Sequence, residues 1–531
     1  MKRKILSLLL ILALTLALAA CGENATVLRV ALGDREQSLD PAYTENGSNA
    51  TAVLHLYDNL LRVADDGNGG TKLASAAALS YEIVENYDGT VSYRFTMDPN
   101  ATWSDGEPVT AENFVYAWRR LLDPTLASPH AELLSVIKGY DEAVENGDAS
   151  LLEVKAEEDG KLSVTLAWHC PYFLRSVCAA APTMPVRRDV VEQYGRDWGS
   201  KHDAIVCNGF YTVDAWGVDG LTLAKRENAP EDAPDTIQFL PAATVPVAEQ
   251  LLADGKADFI SPIGEESFLR VSGTPDYIPV PLASTLSVCF GSRGACTDSF
   301  VRAALCGAVD YAAIAEIFQG KPVGIAGGLV PDGILCSDGR EFRSVNGVKT
   351  DAKNENYDFR CESAREALSS AETTPDAITL VFPTENADFT RVADTLASVW
   401  HRELGVSVRT EALSDEEMQR ALRDGDFDAA LVKTESEVAD AMSFLSWYGG
   451  TDSEEQPRIS ESYSTLLRIA MGALDEQARD SYLLAAENEL LAASAALPVA
   501  VFGTSYEKSS AVHNVAFDGV GNWLFHGVSM G

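Results

Sequence analysis

The run WSDGEPVTAENFVYAWRR, Trp103 to Arg120, dictates its own local structure and leaves an apolar stripe that must be buried against something larger. Ser104, Asp105 and Gly106 read as a turn after the strand-like ATW, and Pro108 carries extended chain into Val109. Thr110 is a good N-cap, Glu112 in the first turn complements the helix dipole, and Asn113 stands where a capping box carries Glu or Gln. Phe114, Ala117, Trp118 and Leu121 then recur at i, i+3, i+4 and i+7. Arg119 and Arg120 suit the C-terminal end, and Asp123 and Pro124 stop the helix. Every residue in this charged, aromatic stretch has a structural role, so its density does not by itself mark an active site.

The remainder of the 531-residue chain is long enough for two or three domains. Val27–Leu32 alternates as a short strand and SLDP, residues 38–41, reads as a turn. Val53, Leu56, Tyr57 and Leu60 predict one helical face across 52–61. Strands are predicted at 91–97, 162–168, 209–213 and 221–226. From about Leu282 the pattern changes. Helical segments at 301–318, 362–370, 390–404 and 476–495 alternate with the strands ITLVF, VSVRT and LPVAVF, which predicts an α/β domain.

At the N-terminus Lys2, Arg3 and Lys4 precede an apolar run from Ile5 to Ala20, the pattern of a signal peptide. The ending LAAC resembles a bacterial lipobox, in which Cys21 is lipidated and becomes the first residue after cleavage. The body would then be held by lipid chains on the extracytoplasmic face of the membrane. A net charge of −38 argues against a nucleic-acid partner, since neutralising phosphates needs a basic face. The eight cysteines other than Cys21 are scattered without a CxxC pair, which predicts isolated buried thiols and no zinc site.

Two common catalytic signatures are missing from the sequence: it contains no HExxH and no GxxxxGK[ST]. Asp424, Asp426, Asp428 and Glu435 fall at calcium-loop positions, but Ala429 occupies the place where that loop needs Gly, and AALV reads as a buried strand. The seven histidines show no i, i+4 pairing. The expectation is a protein without metal or cofactor that catalyses nothing.

WSDGEPVTAENFVYAWRR also closely resembles the signature of the oligopeptide-binding family of ABC-transporter solute-binding proteins, extracytoplasmic family 5. Further elements similar to the family's follow in order: SLDP at 38–41, LYDNL at 56–60, NGFYTV at 208–213, SFVRAALCGAVDYAAIAE at 299–316 and GLVPDGI at 328–334. ESAREALSSA, LGVSVRT, GDFDAALV, MSFL and LPVAVF complete the series, so the resemblance spans nearly all of the chain after residue 20.

The resemblance implies an α/β fold of the periplasmic-binding-protein type II class, cluster C, with two hinged lobes and three domains. Residues 1–20 would be the lipoprotein signal peptide; 21–48, 201–283 and 501–531 a discontinuous base domain; 49–200 a small inserted domain; and 284–500 the large closing lobe. It implies a monomer that captures peptides, or a related amine-bearing solute, and delivers them to membrane permease subunits. The family's ammonium-binding Asp aligns with Glu437, whose carboxylate reaches about 1.5 Å further. Glu435 and Thr434 lie in the same segment, where Thr434 replaces the family's Trp and Ala441 its Pro. Glu45, Asn46 and Gly47 fall where the family pairs main chain with an extended ligand, and His130 matches a position where some members place a ligand-facing Tyr. The same fold binding nickel chelate or an oligosaccharide, and a secreted hydrolase with an acidic pair in the cleft, remain alternatives. If Cys21 carries the anchor, Cys21→Ser releases or misprocesses the protein in membrane fractionation, and unchanged retention contradicts lipidation.

Overall fold

The Trp103–Arg120 run folds as its sequence dictates, in a computed structural model that describes residues 25–65, 71–292, 294–384, 386–425, 427–436, 438–449 and 460–531. The helix spans Ala111–Leu121, and Asn113 does what Glu or Gln does in a capping box: its Oδ1 accepts the Thr110 N–H at 2.8 Å. Phe114, Ala117, Trp118 and Leu121 are buried together. Trp118 donates its indole N–H to Thr183 O at 2.8 Å, which satisfies the one polar group this large side chain takes inside.

The helix is tied to a distant segment by charge. Arg120 and Asp40, of SLDP, form a bidentate pair at 2.9 and 2.5 Å, with side-chain exposures of 10% and 2%. Gly199 lies against Asp40 so closely that a Cβ there would sit 2.6 Å from the Asp40 Cβ, and Leu39 donates its N–H to Gly199 O. LYDNL and NGFYTV are clasped in the same way. Asn208 accepts the Asp58 N–H at 3.1 Å and donates to Asp58 O at 2.9 Å, so one amide replaces two backbone partners.

Three sheets carry the architecture. A six-stranded mixed sheet runs Glu507–Lys508, Phe259–Ile260, Val27–Ala31, Thr236–Phe239, Gly220–Lys225, Tyr211–Gly217. A four-stranded antiparallel sheet contains Ala78–Glu85, Val91–Met97, Leu162–Leu166 and Val154–Ala156. Residues around these two sheets form one continuous hydrophobic core from Leu28 to Val528, so the strand Val27–Ala31, the 49–200 segment and the C-terminal tail pack as one lobe.

The second lobe is built on the sheet Val323–Ile325, Ala496–Thr504, Val280–Phe290, Ala429–Glu435, Ala377–Pro383, Ser407–Leu413. Helices cover both faces. Leu286, Val288 and Phe290 pack one way and Ala283 and Cys289 the other, which explains why these strands read as near-continuous apolar runs. Inside this lobe Glu487 is fully buried; its Oε1 accepts the N–H groups of Leu329 and Val330 at 2.9 Å and it pairs with Arg343 at 2.5 Å, fixing GLVPDGI. The two strands nearest the first lobe run side by side at the crossing, with Val280 opposite Thr504.

Two predicted helices are shorter than their periodicity suggests. The first ends at Leu56, and Tyr57 is extended. Asn59 stops it: its side-chain N–H groups go to Val177 O, Ala180 O and Thr183 Oγ1, while its Oδ1 accepts the Leu60 N–H. Tyr57 and Leu60 are buried as expected, but on irregular chain. The stretch 301–318 is two helices, Ser299–Gly307 and Tyr311–Ile317, because Asp310 caps the second by accepting the Ala313 N–H. The eight described cysteines are free thiols, seven of them buried.

The Asp40–Arg120 pair joins the base of the first lobe to its inserted helix, and breaking a buried pair strands the remaining charge. Asp40→Ala and Arg120→Ala should each cost about 3–5 kcal/mol in urea unfolding, and the double variant less than their sum. Additive losses would remove the coupling.

Candidate functional site

Between the lobes lies a cleft of about 230 Å³ whose walls come from well-separated stretches of chain. Thr44, Glu45 and Asn46 form one lip and His130 stands beside them. Arg175, Ser176 and the segment Ala179 to Pro182 make the floor, Val438 and Ala439 come from the second lobe, and Asp518, Val520 and Asn522 come from the C-terminal tail.

The lip is fixed from the turn that Asp40 caps. Asp40 Oδ1 accepts the Ala42 N–H at 3.1 Å, and Thr44 follows directly. His130, far along the chain, is drawn in by the backbone around it. Tyr43 donates its hydroxyl to Leu126 O at 2.6 Å, Ser128 donates to Ala42 O at 2.6 Å, and Ser128 Oγ accepts the His130 N–H at 3.2 Å. Ala127 is in the left-handed region at φ 52°, and Ala439 on the opposite wall at φ 41°, so both sides carry backbone that an alanine adopts at a cost.

The tail is clamped to the helix Ser48–Leu56, which leads away from the lip. Gly47 donates its N–H to Asn522 Oδ1 at 2.8 Å, and Asn522 Nδ2 reaches Asn46 Oδ1 at 3.1 Å. Thr51 Oγ1 accepts the Trp523 N–H at 3.1 Å. His55 completes the clamp: its Nδ1 lies 2.6 Å from Thr51 O and its Nε2 accepts the Phe525 N–H at 2.9 Å, which requires a neutral ring with the proton on Nδ1. Burial pushes the His55 pKa down to about 4. His526, whose ring centroid lies 5.9 Å from that of His55, is pushed down to about 3 by burial, His55 and Arg62.

Asp518 supplies the tail's carboxylate. Its Oδ1 accepts the N–H groups of Val520, Gly521 and Asn522 at 2.9, 3.1 and 2.9 Å, and its Oδ2 accepts from Asn522 Nδ2 at 2.6 Å. Burial raises its pKa, while these hydrogen bonds hold it back. Arg175 faces the same cavity and makes no hydrogen bond or ion pair with another described residue; burial lowers its pKa, and Asp518 and Asp440 push it back up. Three buried polar atoms of the lining also have no partner among the described residues: Thr44 Oγ1, His130 Nε2 and Ser176 Oγ.

Of the residues singled out in sequence, Glu45, Asn46 and His130 meet at this cleft, and Gly47 stands just behind it. Thr434 and Glu435 do not line it. The strand Ala429–Glu435 runs on through both, Thr434 opposite Thr285, and the largely exposed Glu435 pairs with Lys433 at 2.5 Å. Glu437 lies outside the described residues, as do Cys21 and Asp426 of the calcium-like run. Asp428 of that run accepts the Thr379 N–H at 2.8 Å. Arg175, Ser176, Asp518 and Asn522 escaped the sequence reading. DGVGN signals a turn and FLRS a short helix, and neither pattern carries a sign of what it will face.

Two α/β lobes that share a polar cleft and are joined by paired crossing strands define a ligand-capturing binding protein. Residues 72–456 match the model of the bacterial extracellular solute-binding proteins, family 5, and the chain belongs to that family. The periplasmic oligopeptide-binding protein OppA of Escherichia coli is 28% identical over 487 residues, covering 88% of this chain and 85% of that protein. Among solved structures, the unliganded open form of the murein tripeptide-binding protein MppA superimposes with a TM-score of 0.81 at 22% identity, covering 96% of this chain and 98% of that one. Haemophilus influenzae OppA in complex with the peptide RPPGFSPFR gives a TM-score of 0.63 at 20% identity, covering 96% and 99%.

Because His55 is neutral when folded, acid costs stability. Between pH 6.5 and about 4 the unfolded chain binds a proton that the folded chain refuses, so stability falls as pH falls through this window. His55→Gln keeps a donor and an acceptor but does not titrate. It should recover about 2 kcal/mol of the loss between pH 7 and 4.5 in urea unfolding. An unchanged acid limb would show that His55 does not couple the clamp to pH.

Proposed function

We propose that this chain is the substrate-binding component of an ABC importer, capturing peptides between its two lobes and delivering them to permease subunits. The observation that carries the reading is the interlobe cleft, where buried polar groups without partners among the described residues face a cavity lined by both lobes. Buried donors and acceptors left unpaired are costly, and a peptide backbone supplies both complements along its length. A ligand that touches both walls binds the closed arrangement better than the open one, and only that difference shifts the lobes.

In this reading the base is assembled from 21–48, 201–283 and 501–531, the insert is 49–200, and 284–500 closes over the ligand. The paired strands at Val280 and Thr504 are the hinge, since they are where the chain passes between the lobes. Glu437 takes the ligand's ammonium, Glu45 and Asn46 engage its main chain, and His130 closes one side. Thr434 and Glu435 support the Glu437 segment from the strand end. The protein acts as a lipid-anchored monomer at the extracytoplasmic face and leaves its ligand chemically unchanged.

The test is a thermal-shift and calorimetric comparison of free-amine and N-acetylated tripeptides, with the ligand recovered and analysed afterwards. Free-amine peptides should stabilise the protein and return intact, and Glu437→Gln should weaken them by about tenfold or more while leaving acetylated peptides little changed. Hydrolysed peptide would sink the reading. Equal losses for both peptide classes would remove Glu437 from the ammonium.

A further inference from the structure

We propose that Arg175 is the centre of a carboxylate-binding subsite in the cleft, completed by Thr44 and Ser176, so that the ligand carries a free carboxylate as well as its backbone. The inference rests on the peptide-binding reading above and sharpens it. The short helix that carries Arg175 is packed against the core. The Phe173 ring packs tilted against Tyr93, centroids 5.0 Å apart, and edge-on to Trp118 at 6.4 Å, so the strand Val91–Met97 and the helix Ala111–Leu121 together hold the short helix Phe173–Ser176. Arg175, which follows Leu174, is therefore presented to the cavity from a helix anchored by buried aromatic rings.

The charges around Arg175 are already engaged elsewhere. Asp440 is gripped by Arg479 through two bonds of 2.8 and 2.9 Å. Asp518 gives one oxygen to three backbone N–H groups and the other to Asn522. Both carboxylates stabilise the Arg175 cation across the cleft, but neither lies within ion-pair distance of it. A guanidinium keeps five N–H donors and no acceptor, so a partly buried one without a partner among the described residues calls for an anion with paired oxygens. The Thr44 and Ser176 hydroxyls, buried and unpartnered among the described residues, line the same cavity and add donors. A carboxylate accepts from all of them. Asp518 and Glu45 line the cavity as well, which disfavours a ligand with net negative charge and suits one that also carries an ammonium.

The carboxylate has two sources, the peptide C-terminus or an acidic side chain, and four probes separate them: Ala-Ala-Ala, its C-terminal amide, and the C-terminal amides of Ala-Glu-Ala and Ala-Gln-Ala. Calorimetry on the purified protein should show the free acid bound about tenfold or more tighter than its amide if the terminus is held. The Glu peptide should exceed the Gln peptide by a similar factor if a side chain is held. Arg175→Gln should erase whichever preference is present while still binding the amide, which reports an intact cleft, and Arg175→Lys should restore part of it. A wild-type protein that binds these peptides with no preference in either pair, or a preference unchanged in Arg175→Gln, overturns the subsite and leaves the peptide reading standing. A wild-type protein that binds none of the four overturns both.

Discussion

The buried pair between Asp40 and Arg120 is the contact on which the ligand lobe is organised. Its two residues come from segments 80 positions apart, and both charges are largely withdrawn from water. Taking both inside is tolerable because the geometry is bidentate and Asp40 has a further backbone donor in Ala42. The consequence reaches beyond stability. Asp40 caps the turn that delivers Thr44, Glu45 and Asn46 to the cleft, and Arg120 ends the helix whose Trp118 supports Phe173 and so Arg175. One ion pair thus sets both the lip and the floor of the cavity.

The second lobe follows a different logic. Its sheet is covered on both faces, so hydrophobic burial rather than ion pairing sets its order, and its fully buried carboxylate, Glu487, is met by backbone N–H groups as well as by the Arg343 guanidinium. Buried polar atoms without a partner among the described residues occur in both lobes, and several of them gather along the cleft. Its Arg175, Thr44, Ser176 and His130 carry polar atoms that the described protein does not satisfy. Buried polar groups in folded proteins are almost always paired, so a cluster of exceptions along one cavity points to a missing partner, which in a solute-binding protein is the solute.

Much of the fold was legible in advance because its signals are local. The capped helix at 111–121, the strands at 91–97 and 377–383 and the helix 387–404 all follow from periodicity and end signals, and the structure places them within a few residues. The failures are equally physical. The helix predicted to 61 stops at Leu56 because Asn59 binds Val177, Ala180 and Thr183, more than a hundred residues away. The stretch 301–318 breaks at Asp310, whose capping bond outweighed a continuous apolar pattern. In the cleft, Glu45, Asn46 and His130 were accessible through family likeness, whereas Arg175 and Asp518 were not, since a short helix and a glycine turn look alike wherever they face.

By itself the sequence determined the elements, the two-lobe family and the role of WSDGEPVTAENFVYAWRR as a capped, packing helix, because caps, turns and amphipathic stripes act over a few residues. Only the tertiary structure decided that Asp40 meets Arg120, that Asp58 meets Asn208, and that Thr44, His130, Arg175 and Asp518 share one cavity. Those encounters join segments 80 to hundreds of positions apart, and which of many acids and arginines pair is settled by packing, burial and geometry rather than by any pattern along the chain.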